Sequence, residues 1–190
     1  MTRSTIFTSL LLLLAPGLAM AHPGHADSSL LSGLTHPLAG IDHLLAMLAV
    51  GWWAAQQNGG ARWILPLTFL GSMLMGAVLG YNGIALPWTE SAIAASVLAF
   101  NLLVVIAARL PMLVAVGLTA AFALFHGMAH GLELPPAGAA AQYASGFLIA
   151  TAALHAFGFA MLRWIPAAAE PWLRVSAAVC AIAGGWLLAS

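Results

Sequence analysis

The sequence predicts an all-α protein, a polytopic bundle of helices that spans a lipid bilayer. Two observations lead to this prediction: the composition is too apolar for a soluble domain, and the apolar residues fall into runs of membrane-spanning length. Of the 190 residues, 63% are hydrophobic and 5% are charged, and the mean hydropathy is +1.01. Soluble domains carry about 25% charged residues, so this composition excludes a soluble enzyme, a nucleic-acid-binding protein and a disordered chain.

Residues 1–21 have the features of a cleavable secretory signal peptide. Arg3 precedes a short apolar run at 10–14, and the small residues at 19–21 form an Ala-x-Ala cleavage site. The apolar run is short for a membrane span, and an uncleaved anchor is the alternative interpretation. Cleavage predicts a mature chain, residues 22–190, that forms one transmembrane domain with its N-terminus outside.

The remaining chain contains six apolar runs of about 20 residues, the length that crosses about 30 Å of hydrocarbon. Turn-forming Gly, Pro and Asn residues separate the runs. The alternating pattern of β-barrel strands is absent from them, so each run predicts a transmembrane helix. The predicted spans are Leu30–Ala55, Trp63–Gly80, Ser91–Ala108, Pro111–Gly131, Ala139–Leu162 and Trp172–Ala189.

The arginines predict the orientation of these spans. With the N-terminus outside, the inner loops are 56–62, 109–110 and 163–171, and four arginines lie in or beside them: Arg62, Arg109, Arg163 and Arg174. This distribution follows the positive-inside rule and predicts a bacterial cytoplasmic membrane protein with both mature termini in the periplasm. Tryptophans near predicted helix ends are expected to be interfacial anchors: Trp52, Trp53, Trp63, Trp88, Trp164 and Trp172.

Ionisable residues are costly inside a membrane and mark functional sites. On the fourth span, His126, His130 and Glu133 are spaced i, i+4 and i+7, which places them on one stripe of a helix. Two imidazoles and a carboxylate suit a divalent first-row metal ion such as nickel, cobalt, zinc or copper. This stripe therefore predicts a metal site.

The first span carries a second group of ligand types. His36 and His43 are seven residues apart and share a face of a regular helix. Asp42 lies about 100° around that helix from His43. Asp42 is a metal ligand if Pro37 and Gly40 distort the backbone, or otherwise holds a histidine in position through a hydrogen bond.

The predicted topology brings three distant stretches to one depth. Because the residue before a proline avoids the α region, we expect the regular helix to begin near Pro37, with His36 at the outer boundary and residues 30–34 along the interface. Glu90 begins the third span at this same face. The ligands of the first, third and fourth spans should therefore meet near the outer surface.

Three further histidines have two interpretations each. His155 lies deeper in the fifth span and, with Asn101, could mark a later stage of a transport path, or both could make ordinary interhelical hydrogen bonds. His22 and His25 could capture metal ions at the mature N-terminus, or belong to a flexible tail.

Two segments resemble the signatures of a known family. Residues 36–43, His-Pro-Leu-Ala-Gly-Ile-Asp-His, resemble the HP-x4-DH signature of the HupE/UreJ family, and residues 125–133 resemble its FHG-x-AHG-x-E signature. The likeness covers nearly the whole chain. Members are small bacterial nickel or cobalt permeases found with hydrogenase or urease systems. The resemblance implies that metal uptake depends on His36, Asp42, His43, Glu90, His130 and Glu133, with His126 beside them.

The favoured hypothesis is a permease that imports Ni²⁺ or Co²⁺, with no catalytic residues and no prosthetic cofactor. Its expected partners are the divalent ion, which could be Zn²⁺ in vitro, the bilayer, and in one interpretation further copies of the chain in a homo-oligomer. No P-loop is present, so we expect no ATP hydrolysis by this chain, and no nucleic-acid partner. The alternatives are an intramembrane zinc hydrolase that uses the same cluster without a His-Glu-x-x-His motif, and a metal-sensing or metal-storing subunit.

Overall fold

The computed structural model of the chain describes residues 30–134 and 137–189. The predicted signal peptide and the two histidines that follow it lie outside these residues. All regular secondary structure in the described ranges is helical, which confirms the all-α class. This part of the chain forms seven α-helices and one 3-10 turn at Ala167–Ala169; the α-helices are α1 (Leu30–Ala39), α2 (Ile41–Gln56), α3 (Ala61–Tyr81), α4 (Thr89–Val105), α5 (Met112–Leu132), α6 (Ala137–Trp164) and α7 (Glu170–Ala189).

The first predicted span is two helices instead of one. Helices α1 and α2 meet at an angle of 88°, and Gly40 between them is extended, with φ −92° and ψ 110°. The prediction that the helix begins near Pro37 is wrong, because Pro37 lies inside α1 and is buried. Packing of α1 on α6 outweighs the local bias against helix before a proline. His36 and His43 therefore lie on different helices, and not on one face of a single helix as predicted.

Within the described ranges, length and composition identify four helices that could cross a membrane: α3, α5, α7 and the Ala139–Trp164 part of α6. The bent pair α1 and α2 meets the same criteria when taken together, which gives up to five. Helix α4 is also apolar but has 17 residues. The observed helices lie close to the six apolar runs of the sequence, apart from the bend in the first.

Helices α3 and α5 each carry a Gly-x-x-x-Gly pair, Gly76 and Gly80 on α3 and Gly127 and Gly131 on α5, and they pack through these glycines. A Cβ atom at Gly76 would lie 2.1 Å from the carbonyl oxygen of Leu124, and one at Gly80 would lie 2.4 Å from that of Met128. Only glycine permits such close backbone approach. Because the contacted residue numbers rise together, α3 and α5 run parallel.

Helix α6 runs in the opposite direction to α3. As the residue numbers rise along α3 they fall along α6 in three side-chain contacts: Trp63–Phe159, Phe69–His155 and Met73–Thr151. The end of α5 and the start of α6 therefore lie at one end of the bundle, which we call the histidine end because His130 and Glu133 lie there.

The other end of the bundle carries the four arginines, and we call it the arginine end. The side chains of Trp53 and Gln57 donate hydrogen bonds to the carbonyl oxygen of Ala108, with N···O distances of 2.8 and 3.0 Å. These bonds tie the end of α2 to the segment that contains Arg109. Arg62 begins α3 and Arg163 lies near the end of α6, so these loops lie together.

Four of the six tryptophans expected as anchors are exposed: Trp63, Trp88, Trp164 and Trp172. The expectation is wrong for the other two. Trp52 is 6% exposed and Trp53 is fully buried, because their helix is packed inside the bundle and the indole N–H of Trp53 bonds within it.

Candidate metal centre

Ligand atoms from two distant stretches converge at the histidine end. His36 Nε2 lies 3.0 Å from His130 Nδ1 and 3.3 Å from Glu133 Oε2. Glu133 Oε2 lies 3.9 Å from His130 Nδ1. These residues each offer a ligand atom within 4.8 Å of the others. We call His36, His130 and Glu133 the ligand triad, and it has the donor types that first-row divalent ions take.

Local structure places each member of the triad. His130 lies in the last turn of α5, and the helix ends so that the Glu133 N–H bonds to the His130 carbonyl oxygen at 3.2 Å. His36 lies on α1, which approaches α6 closely at Gly33. A Cβ atom at Gly33 would lie 2.1 Å from the Tyr143 carbonyl oxygen. The bend at the end of α1 then directs the chain back into the bundle.

Asp42 positions His43. One oxygen, Asp42 Oδ1, accepts hydrogen bonds from the backbone N–H and from the ring Nδ1 of His43, each at 2.8 Å. This arrangement assigns the proton to Nδ1, so His43 Nε2 carries the lone pair that can bind a metal. Of the two roles predicted for Asp42, the contact matches the positioning role. A carboxylate behind a ligating histidine is a recurrent feature of metal sites.

His126 is fully buried below this carboxylate-bound histidine. The Ser96 hydroxyl donates to the Ile93 carbonyl oxygen at 2.6 Å and lies 2.8 Å from His126 Nε2. Because the hydroxyl proton already bonds to the Ile93 carbonyl oxygen, His126 Nε2 must be the donor to Ser96. The other ring nitrogen, Nδ1, then keeps its lone pair. Sequence reasoning missed Ser96, although a hydroxyl inside an apolar span is a recognisable sign of an interhelical hydrogen bond.

Four imidazoles form a continuous series, which we call the histidine column. The ring centroids of successive members are 4.8, 4.4 and 4.8 Å apart, in the order His36, His130, His43 and His126. The column begins beside Glu133, whose side chain is 60% exposed, and ends at a residue with no exposed surface. It leads from the surface of the bundle into its interior.

Three nitrogens of the column are buried and have no hydrogen-bond partner: His43 Nε2, His126 Nδ1 and His130 Nε2. More than about 90% of buried polar groups in proteins are bonded, and an unbonded one costs about 1–3 kcal/mol. A cation in the column would bind the lone pairs of His43 Nε2 and His126 Nδ1, whereas His130 Nε2 carries the ring proton when His130 Nδ1 binds in the triad. The nitrogens do not converge as closely as the triad atoms, which form the one close ligand group among the described residues.

Glu133 lies one residue beyond the end of α5. Its hydrogen bond with His36 lowers the pKa of the Glu133 carboxyl below its usual value, and this effect exceeds the opposing effect of partial burial. The carboxylate is therefore ionised at neutral pH, which is the form that binds metal ions.

Glu90 lies apart from the other six predicted ligands. It is exposed in the first turn of α4, and within the described ranges no hydrogen bond or ion pair joins it to them. Ser96, on the same helix, contacts His126, so Glu90 is displaced by about 9 Å along α4 from that level. The structure therefore brings together six of the seven residues and leaves Glu90 near the same end.

The fold and the site define a class: a helical protein with apolar helices long enough to cross a membrane and a cluster of histidines and carboxylates at one end. The model of the HupE / UreJ protein family matches residues 10–187. Protein HupE of Rhizobium leguminosarum bv. viciae is 46% identical over 191 residues, which cover 99% of each chain. The chain belongs to the HupE/UreJ family, which implies nickel or cobalt transport. No solved structure matches it.

Proposed function

We propose that this chain is a permease that imports Ni²⁺ or Co²⁺ across the bacterial cytoplasmic membrane. The observation that carries the proposal is the convergence of His36 Nε2, His130 Nδ1 and Glu133 Oε2 at the exposed end of the histidine column. From a cation bound there, the imidazole rings of the column follow one another in contact toward the interior of the bundle. A binding site that continues inward as a series of ligands is what transport requires.

The proposal includes six spans in a single domain of residues 22–190, after removal of a signal peptide at 1–21. Helix α4, with 17 residues, is about 25 Å long and lies at the lower limit of span length. The parallel pair α3 and α5, with α6 antiparallel to α3, supports a chain that crosses the membrane in alternate directions.

Charge supports the orientation. The four arginines lie at the end opposite the ligand triad, and loops rich in Arg stay in the cytoplasm. In the proposed orientation the triad opens to the periplasm and both mature termini are periplasmic. Ions then enter at Glu133 and move toward the arginine end.

In the proposed mechanism the ion exchanges ligands stepwise. Imidazole nitrogen and carboxylate oxygen of the triad first replace part of its water shell. The lone pairs of His43 and His126 come next, with Asp42 and Ser96 holding the two rings in the required tautomers. All five basic residues other than histidine are arginines, so the chain lacks the lysine of a P-loop. A gradient, cytoplasmic trapping of the metal or a partner protein must therefore drive uptake.

An intramembrane zinc hydrolase would use the same cluster, and family membership favours transport over it. The deciding experiment measures entry of radioactive nickel and cobalt into proteoliposomes that contain the purified chain. We expect time-dependent uptake by the natural sequence and loss of uptake in Asp42→Ala and His130→Ala at equal protein level. Bound metal without flux would favour the hydrolase or a storage subunit. Unchanged uptake in both variants would contradict the proposed site.

A further inference from the structure

His155 is a buried imidazole that the histidine column does not include. It lies on α6, is 2% exposed, and neither Nδ1 nor Nε2 has a hydrogen-bond partner among the described residues. A buried side chain with both polar atoms unbonded is rare. Such a group requires an explanation other than interhelical hydrogen bonding, which was the simpler of its two predicted roles.

The Phe69 ring lies between His155 and the column. Its centroid is 5.0 Å from that of His155, with the rings perpendicular, and 5.5 Å from that of His126. An N–H of His155 can point at the Phe69 ring face. A neutral imidazole has one N–H and one lone pair, so the other nitrogen still lacks a donor. That lone pair is available to a cation.

Two other ligand types lie one helical turn from this pair. Thr151 precedes His155 by four residues on α6, and Met73 follows Phe69 by four residues on α3, so each shares a helix face with its neighbour. The Thr151 hydroxyl lies 4.0 Å from Met73 Sδ, and both residues are buried. A thioether is a weak acceptor, and it is the acceptor that this hydroxyl has among the described residues. The hydroxyl does not bond to His155.

We propose that His155, together with Met73 and Thr151, forms a second binding site for the transported cation, separated from the histidine column by Phe69. This inference rests on the proposed function, because the ion that binds here is the one that the ligand triad admits. Phe69 contacts His126, the buried end of the column, and His155 contacts Phe69 in turn. An ion that enters beside Glu133 and follows these contacts would therefore reach His155 after the column.

The ligand types also limit which ions can bind. Imidazole nitrogen and thioether sulfur suit the later first-row ions, whereas Mg²⁺ and Ca²⁺ prefer carboxylate, carbonyl and water oxygens. The described ligands of the second site include no carboxylate. The site would thus select Ni²⁺ or Co²⁺ against the hard divalent cations that an exposed carboxylate attracts.

The test counts cobalt ions bound to the purified full-length chain by equilibrium dialysis with radioactive Co²⁺. We expect two ions per natural chain and one per His155→Leu chain, with the affinity of the remaining site unchanged. Thr119→Val is the matched control, because Thr119 is also buried with an unbonded hydroxyl and lies about 10 Å along α5 from His126. This control should bind two ions. Equal numbers in the natural chain and His155→Leu would overturn the proposal.

Two milder variants cover the case in which His155→Leu does not fold. His155→Gln and Met73→Leu keep side-chain size, and each should weaken the second site by about tenfold or more while leaving the first unchanged. Two ions bound with natural affinities in both variants would also overturn the proposal. The count is independent of transport: absence of uptake by the natural chain refutes the permease, whereas the numbers bound still decide the second site.

Discussion

His36 Nε2 and His130 Nδ1 lie 3.0 Å apart although 94 residues separate them in the chain. Glu133 Oε2 contacts the same His36 nitrogen at 3.3 Å. Two helices must end at the same place for this contact to form: α1 at the bend and α5 at its last turn. The relationship ties the two sequence signatures into one site, and most of the predictions below follow from it.

Loss of the Glu133 charge should weaken capture of the ion. In Glu133→Gln the amide keeps the size of the side chain but has no anionic oxygen, so we expect metal affinity to fall by more than about tenfold, since even loss of a residue behind a ligand costs about 10- to 100-fold. Equilibrium binding of Ni²⁺ to the purified chain measures this. Glu170→Gln is the control, because that carboxylate pairs with Arg174 on α7. Equal loss in both variants would contradict a specific role for Glu133.

The Asp42 carboxylate should act through the His43 tautomer. Asp42→Asn keeps the shape but can present an N–H to His43 Nδ1, which moves the ring proton to Nε2 and removes the lone pair from the column. We expect metal affinity to fall by about 10- to 100-fold. The free energy of unfolding should change by no more than about 1–3 kcal/mol. The proton on each ring nitrogen can be assigned by ¹⁵N NMR of labelled histidine. An unchanged tautomer of His43 in Asp42→Asn would refute this mechanism.

Ser96 should position His126 rather than bind the ion first. Ser96→Ala leaves His126 Nε2 without its partner at 2.8 Å, so the ring can rotate or change tautomer. We expect uptake to slow severalfold, while binding at the ligand triad stays the same. Ser145→Ala is the control, since the Ser145 hydroxyl is exposed and donates to the Ala141 carbonyl oxygen on its own helix. Uptake equal to that of the control would contradict the proposal that Ser96 positions His126.

Close packing of α3 and α5 should depend on Gly127. A Cβ there would lie 1.9 Å from the Met73 carbonyl oxygen, whereas a Cβ at Gly117 on the same helix meets nothing within 4 Å. Gly127→Ala should lower the free energy of unfolding by about 1–3 kcal/mol, the usual effect of overpacking. Gly117→Ala should leave it unchanged or raise it by up to about 1 kcal/mol, because alanine favours helix. Thermal unfolding in detergent compares the two variants, and equal stabilities would contradict this packing.

Much of the fold could be predicted from the sequence because a bilayer restricts the possible structures. With no water in the hydrocarbon, a spanning segment must satisfy its own backbone hydrogen bonds, so the length of each apolar run predicts a helix and its limits. The stripe of His126, His130 and Glu133 is likewise a local property of one helix. Scarce charge then singles out these residues, since chance seldom places ionisable groups in lipid.

The tertiary structure alone decided how these helices meet. The bend at Gly40, the contact of His36 with His130 and the position of Ser96 beside His126 depend on contacts between residues far apart in the chain. The burial of Trp53 and the separation of Glu90 from the ligands depend on them as well. Such contacts arise where small residues allow two helix backbones to approach closely. The residue pattern of one helix does not identify which other helix will pack against it. Local hydrogen bonding and hydrophobicity thus determined the helices, and packing between them determined the site.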